Sequence, residues 1–504
     1  MKQILIIALV SAVALVLGFG VYACSTFGSG TPLEYGTNTI TVKKGADFQA
    51  ALDSAKPGDT IVLEAGSTFR GAFKLPNKPG GEFITIRTSA PDSQLPPADT
   101  RLVPSKYHSV LPKLESDVKG EPTILAVDRA HHFRFIGVEF GPTIEGMYDI
   151  IKLGTGQEKS VEDLPHHIEF DRVYIHGSPT EGQRRGIAAN GRNIKITNSY
   201  ISDIKRKGDE SQGIAVWATD GPIEIVNNYI EGAAENILFG GAESYLKLVP
   251  TDCIVRSNHL NKPPEWKGTD WVVKNIFEIK NGKRIKVENN LMTNNWGMAQ
   301  DGMAILFTTR ADNGDATIID EIEFTGNIVR GSGGGLNILG SEGSGGHRLI
   351  IRNNIFDDID GKKWNSAGHF MKSTDWDGLT IENNTIIQTG NIANAYGNPI
   401  KNFIFRNNIV FENEYGIKGD NMGSGQQVIA KFFSGGSVTG NIIISGNSTL
   451  YKEPNVFLNS LNLVGFEDIA NGEYRLKSKS PYLKAGFAGK RIGADLNTKL
   501  VGGK

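Results

Sequence analysis

The sequence predicts an all-β solenoid: a right-handed parallel β-helix of three sheets, closed at its N-terminal end by a capping helix. Two observations lead there. First, a β-branched run, a bend pair and a second apolar run keep returning. They read IEIVNNYI (Ile223 to Ile230), IKVENNLM (Ile285 to Met292), LIIRNNIF (Leu349 to Phe356), LTIENNTI (Leu379 to Ile386) and FIFRNNIV (Phe403 to Val410), with weaker copies ending at Leu260, Val329 and Ile443. The last Asn of each pair falls at Asn228, Asn258, Asn290, Asn327, Asn354, Asn384, Asn408 and Asn441. A loose period with strand chemistry marks stacked coils whose insertions fall in loops. Second, Asn accepts left-handed backbone angles better than other non-Gly residues, and Gly stands in for it here, so each pair reads as a sharp corner between strands. Coils about 4.8 Å apart would align the amides into a hydrogen-bonded column. A sandwich with Asn-rich turns has no reason to repeat one corner so often.

In chain order, Lys2 precedes an apolar run from Ile4 to Val21, followed by Val21-Tyr22-Ala23-Cys24. Residues 1–24 are expected to be a signal peptide, a lipoprotein signal acylated on Cys24, or a membrane anchor. Each outcome places the remainder outside the cytoplasm, behind a tether at 25–38. Residues 39–130 are assigned to the cap and first coils. There Asp47 is placed to cap a helix carrying Phe48, Ala51 and Leu52 on one face, stopped by Lys56-Pro57-Gly58-Asp59. Residues 75–125, rich in Pro, Ser and charge, read as an insertion or long loop. The coils proper are expected over 131–447, and 448–504 as a C-terminal cover without chemistry. Cys253 is the only other cysteine, so no disulfide framework is expected. With 53 Lys and Arg against 55 Asp and Glu, a bulk nucleic-acid partner is not expected. The pairs His131-His132 and His166-His167 lack Cys or carboxylate partners at metal spacing and read as solvated or strand-edge residues; no metal is assigned.

A third strand set completes each coil: GIAANG from Gly186, GIAVWATD from Gly213, NILFGGA from Asn236, NIFEIKN from Asn275, AILFTTR from Ala304, LNILGS from Leu336 and HFMKST from His369. Its constant phase predicts one parallel sheet. Alternation puts Phe277 and Ile279 in the core and Glu278 and Lys280 toward solvent. Arg310 follows one coil on, Glu235 and Asn236 one coil back, Trp217 two back, and Lys372 farther along. All six Trp (Trp217, Trp266, Trp271, Trp296, Trp364, Trp376) fall in central coils. Trp266, Trp271 and Trp296 sit in the loops that lengthen the period, where they could wall a groove. A surface ladder of solvated ion pairs, and Trp as core filling, are the plain alternatives.

The GGA turn, the strand ending in Lys280-Asn281, the Asn corner and the strand ending in Arg310 resemble alginate lyases and chondroitinase B. Ala234 to Gly241 and Val273 to Asn281 also resemble motifs of a larger set of bacterial secreted β-helix proteins. The stretch Ile40 to Phe73 is similar to the opening, and Phe466 to Asp495 to the ending, of many such proteins. The resemblance implies a polysaccharide lyase: Lys280 takes the C5 proton of a uronate, Arg310 neutralises its carboxylate, and Glu278 stands beside them. For this, Lys280 must shed its own proton, which Lys274, Lys283 or Arg310 nearby would favour. Trp217, Glu235, Asn236, Trp271, Lys274, Trp296 and Lys372 would then bind substrate. Those lyases commonly hold calcium with acidic residues before the Lys. Here these places read Val273 and Asn275, so no cofactor is expected. The expected partner is an acidic polysaccharide, met by a monomer touching membrane only through its N-terminus. Two alternatives stay open. Glycoside hydrolysis would draw on Glu235, Glu278, Asp203 and Asp301, and a non-catalytic carbohydrate-binding or adhesion solenoid would use the same face. Gln183-Arg184-Arg185 and the stretch from Asp203 to Gln212 could hold an acidic sugar at one end of it.

Overall fold

Each coil starts with a strand that alternates cleanly: Ile223 and Ile225 are buried while Glu224 and Val226 reach the surface. The next coil repeats the pattern in register, so Ile194 stacks on Ile223 and Ile196 on Ile225. Repetition of this step builds three large sheets of 16, 14 and 12 strands, parallel at every pairing. In this computed structural model, which describes residues 37–498 and 501–503, the chain forms a right-handed parallel β-helix. Stacked Ile, Val and Phe side chains fill one continuous core; Phe135 lies on Phe170 at 5.3 Å with the rings 6° from parallel. The expected leader, Cys24 and most of the tether lie outside the described residues. Among those described, no helix is long and apolar enough to cross a membrane.

The corner between the first and second sheets divides its work between two residues. The first of each pair takes the left-handed angle: φ is 58° at Asn227, 56° at Ser257, 55° at Asn289 and 69° at Gly326. The second turns inward and is fully buried at all eight positions. There Asn228 Nδ2 donates to Asn258 Oδ1 at 3.0 Å, and Asn258 Nδ2 to Asn290 Oδ1 at 3.0 Å. The column continues without a break through Asn327, Asn354, Asn384, Asn408 and Asn441 to Asn455. Each Oδ1 also accepts the backbone N–H of the preceding member, as at Asn327 N to Asn354 Oδ1, 2.8 Å. A polar corner thus runs through an apolar core with its hydrogen bonds made.

The N-terminal helix is Phe48–Ser54, with Asp47 accepting from Ala50 N and with Phe48, Ala51 and Leu52 buried. Residues 75–125 correct the expectation of a long insertion. Ile84–Thr88, Lys113–Glu115 and Ile124–Ala126 each join a sheet, so the coils begin at Thr39 and the true excursion is 89–112. The C-terminal segment packs along a side of the coils. Its hairpin, Phe466–Asp468 with Glu473–Leu476, packs Val464, Phe466 and Tyr474 on Ile328, Ile355, Ile409 and Ile442 of the second sheet's outer face. Further on it bonds to the corner row: Gly493 N donates to Asn407 O, Asn383 Nδ2 to Arg491 O, Asp495 N to Asn353 Oδ1 and Gly502 N to Asn289 O. The 89–112 excursion follows the same row from the other end, with Leu102 N on Asn198 O and Asn227 Nδ2 on Asp99 O. Arg101 joins the two, donating to Asn227 O, Ser257 O and Gly502 O.

Candidate functional site

The third sheet differs from the first in one respect that positions chemistry. Its central strands, Gln212–Val216, Glu235–Phe239, Phe277–Ile279 and Met303–Thr308, are buried at every residue, on both faces. Two sets of loops wall the outer face. Along one edge Trp266, Trp271, Trp296 and Trp364 pack with Ala233 and Val273 into a separate apolar cluster. The loops carrying them interlock, with Asn365 Nδ2 on Gly297 O at 2.7 Å and Lys267 Nζ on Lys363 O at 2.7 Å. Along the other edge, Asn313 holds the 244–248 loop through Ser244 N and Leu248 O, at 3.0 and 3.2 Å.

Between the walls runs a chain of polar contacts across successive coils. Arg185 bonds Asp149 at 3.2 Å and Gln212 at 2.8 Å; Gln212 Nε2 donates to Glu235 Oε2 at 2.9 Å. Lys274 Nζ lies 3.1 Å from Glu235 Oε1 and 2.7 Å from Glu210 Oε1. Burial works against the charge on Lys274, but Glu235 and Glu210 outweigh it and raise its pKa. Burial likewise works against ionised Glu210, and Lys274 outweighs it, holding that carboxyl low. Glu278 comes next: Oε1 accepts from Thr308 Oγ1 at 3.0 Å and lies 4.0 Å from Lys280 Nζ. Burial and, against the pull of Lys280, the nearby Glu235 raise its pKa.

Lys280 and Arg310 fall on adjacent coils, with Arg310 N donating to Lys280 O at 3.4 Å. The Gly240-Gly241 turn makes room for the lysine. A Cβ on Gly241 would stand 3.2 Å from Lys280 Cδ and 3.4 Å from Nζ, and φ there is +82°. The Arg310 side chain is 41% exposed and its guanidinium bonds Glu342 at 3.1 Å. On the outer column Glu278 is followed in register by Leu306, Asn337 and Lys372, so Lys372 stands three coils along, about 14 Å away. Lys372 pairs with Asp301. The charges of Lys372, Arg310 and Asp301 all reach Tyr396, whose pKa burial raises.

Several expectations need correction. Glu278 lies on the outer face, yet it is 2% exposed, because the walls shut solvent out. Glu235 and Asn236 are buried completely. Asn236 Nδ2 ties Ile230 O to Asn261 O, both at 2.8 Å, which is a structural task. Trp271 and Trp296 are core members of the wall and offer no ring face to a ligand. Of the six Trp only Trp217 is half-buried, with the Arg185 guanidinium 5.2 Å from its ring. Lys262 was not singled out from the sequence. It is fully buried and donates to Gly232 O at 2.6 Å, Ala233 O at 2.8 Å and Asn236 Oδ1 at 3.2 Å, fixing the turn that presents Glu235. Burial lowers its pKa.

No protein-family model and no curated relative matches the sequence. Among solved structures the chain is similar to the PL6-family alginate lyase AlyGC, with 16% identity, 92% of this chain and 57% of that one covered, and a TM-score of 0.56. The chain thus spans less than two thirds of that lyase. A PL6-family polysaccharide lyase from Pseudopedobacter saltans matches at 13% identity over 90% of this chain and 98% of that one, TM-score 0.41. A lacto-N-biosidase from Eubacterium ramulus matches at 12% identity over 84% and 68%, TM-score 0.41. The first of these likenesses, with the three parallel sheets, defines the class as that of the fold, the right-handed parallel β-helix. Within it, the particular chemistry of this chain rests on its own side chains.

Proposed function

We propose that the outer face of the third sheet binds an acidic polysaccharide and that Lys280 and Arg310 cleave it by β-elimination. The placement of these two side chains on neighbouring coils, at the floor of a walled face, carries the reading. Arg310, exposed and held by Glu342, can exchange that carboxylate for a uronate and stabilise the charge that builds on it. Lys280 then removes the C5 proton, the C4–oxygen bond breaks with its electrons leaving on the glycosidic oxygen, and a C4=C5 double bond forms. Lys372 and, at the far end of the same face, Lys152 add positive charge along the path of a polymer. A cleft of about 950 Å³, lined by Lys152, Asp149, Lys159 and Tyr148 among others, opens at that end, four coils before Glu278. A polymer extended along the face would run from this cleft toward Lys280.

One observation favours a second reading, glycoside hydrolysis: a carboxyl whose pKa is raised by burial, as at Glu278, is suited to donate a proton. Incubation with uronate polymers separates the two. Elimination gives an unsaturated product with new ultraviolet absorbance, hydrolysis gives reducing ends without it, and retained binding with neither leaves a carbohydrate-binding module. Under the elimination reading, Lys280→Ala lowers turnover by at least about 100-fold while the unfolding midpoint stays put. Undiminished turnover in that variant removes Lys280 from the chemistry.

A further inference from the structure

We propose that His131, His132 and His166, with His167 stacked beside them, form a binding site for one first-row divalent transition-metal ion of the zinc or copper class, on the first sheet and apart from the third-sheet face. The strands His131–Ile136 and His166–Asp171 are neighbours in that sheet, with His131 in register on His166. His132 and His167 take left-handed angles, φ 57° and 52°. This departure from strand geometry breaks the usual alternation and brings consecutive rings together. The outcome is a two-by-two stack: His131 on His166 at 4.6 Å and His132 on His167 at 4.5 Å, with planes 4° and 6° from parallel. Within each coil the two Nδ1 atoms face each other, at 2.7 Å for His131 and His132 and 2.8 Å for His166 and His167. Ligand nitrogens of His131, His132 and His166 all lie within 4.8 Å of one another.

Two ring nitrogens so close cannot both carry a proton, and two bare lone pairs repel; a shared proton or a metal ion between them resolves the contact. Burial, with the neighbouring imidazoles, lowers the pKa of His131, His132 and His166, and burial together with Arg192 and Lys195 lowers that of His167. All four are only half-buried, so an ion can enter. An all-imidazole donor set suits zinc, copper or nickel and not calcium or magnesium, which take oxygen ligands. Around it, Glu169 is held by Arg134 at 2.6 Å and Arg192 by Asp220 at 2.9 Å, while Phe83 packs on His132 at 5.2 Å. A bound ion would clip two successive coils together.

The test uses the whole chain, purified without a polyhistidine tag and stripped with a chelator. Calorimetric titration with zinc is expected to give about one tight equivalent per chain and a Tm that rises with zinc. Copper(II) should show nitrogen hyperfine structure from several imidazoles in its paramagnetic resonance spectrum. The double variant H131N/H166N should lose the tight equivalent, and His347→Asn, remote on the surface, should keep it. Absence of a stoichiometric ion in the wild type, or its retention in the double variant, overturns the proposal. Should the double variant not fold, a copper spectrum of the wild type lacking imidazole nitrogen overturns it as well.

Discussion

At the scale of single residues, the corner asparagines show how one side chain can serve an entire fold. Asn354 accepts from Asn327 N and Asn327 Nδ2, and donates to Phe324 O and Asn384 Oδ1. Asn354→Ala strands these partners in a dry core, and the expected loss is about 3 kcal/mol or more, read as a lower urea midpoint. Glu231 offers a pH test. Its carboxyl accepts from Asp203 N and Tyr229 Oη, both at 2.9 Å, yet burial pushes its pKa from 4.5 up to about 7. A carboxyl that holds its proton more tightly when folded stabilises the fold below its unfolded pKa, and that contribution disappears as pH rises through the folded value. Between pH 4.5 and 7 the wild type should therefore lose up to about 3 kcal/mol relative to Glu231→Gln, measured by denaturation at both ends.

At the scale of elements, the Trp wall turns loops into part of the site. Trp364 packs against Gly331, where a Cβ would fall 2.8 Å from the indole, and its Nε1 donates to Asp358 at 3.2 Å. Trp364→Ala should cost about 3 kcal/mol and speed proteolysis between Asn295 and Gly302, while the Asn column keeps its amide protection. The strands, the capping helix and the corners were legible because each repeats or follows a local rule: alternation, an Asp cap, a left-handed Asn. The burial of Glu278 and Glu235 was not. It depends on Lys274, Gln212 and Thr308, which reach them from other coils and loops, and alternation alone sends an outward residue to solvent. The same limit hid the histidine stack, whose halves are a coil apart, and Lys262, whose partners are mostly backbone carbonyls.

At the scale of the whole molecule, a solenoid's contacts join neighbours only, and long-range ties are rare. Arg101 is such a tie, linking the 89–112 excursion to the C-terminal segment; burial lowers its pKa to about 10, which leaves it charged near neutrality. Arg101→Ala should quicken amide exchange at Leu102 and Gly502 together, with little change at Phe135. The sequence marks both segments as lying outside the coils, but their path along the corner row could not be read from it, since both are irregular and bind the corners through single hydrogen bonds. The unbroken amide column has a wider implication. Its members are separated by as few as 14 residues and as many as 37, yet each sits at bonding distance from the next. Because that spine and the paired strands fix the rise, peripheral segments can be trimmed, grown or exchanged one at a time, and a descendant could acquire new walls without ever disturbing the spacing of its reactive groups.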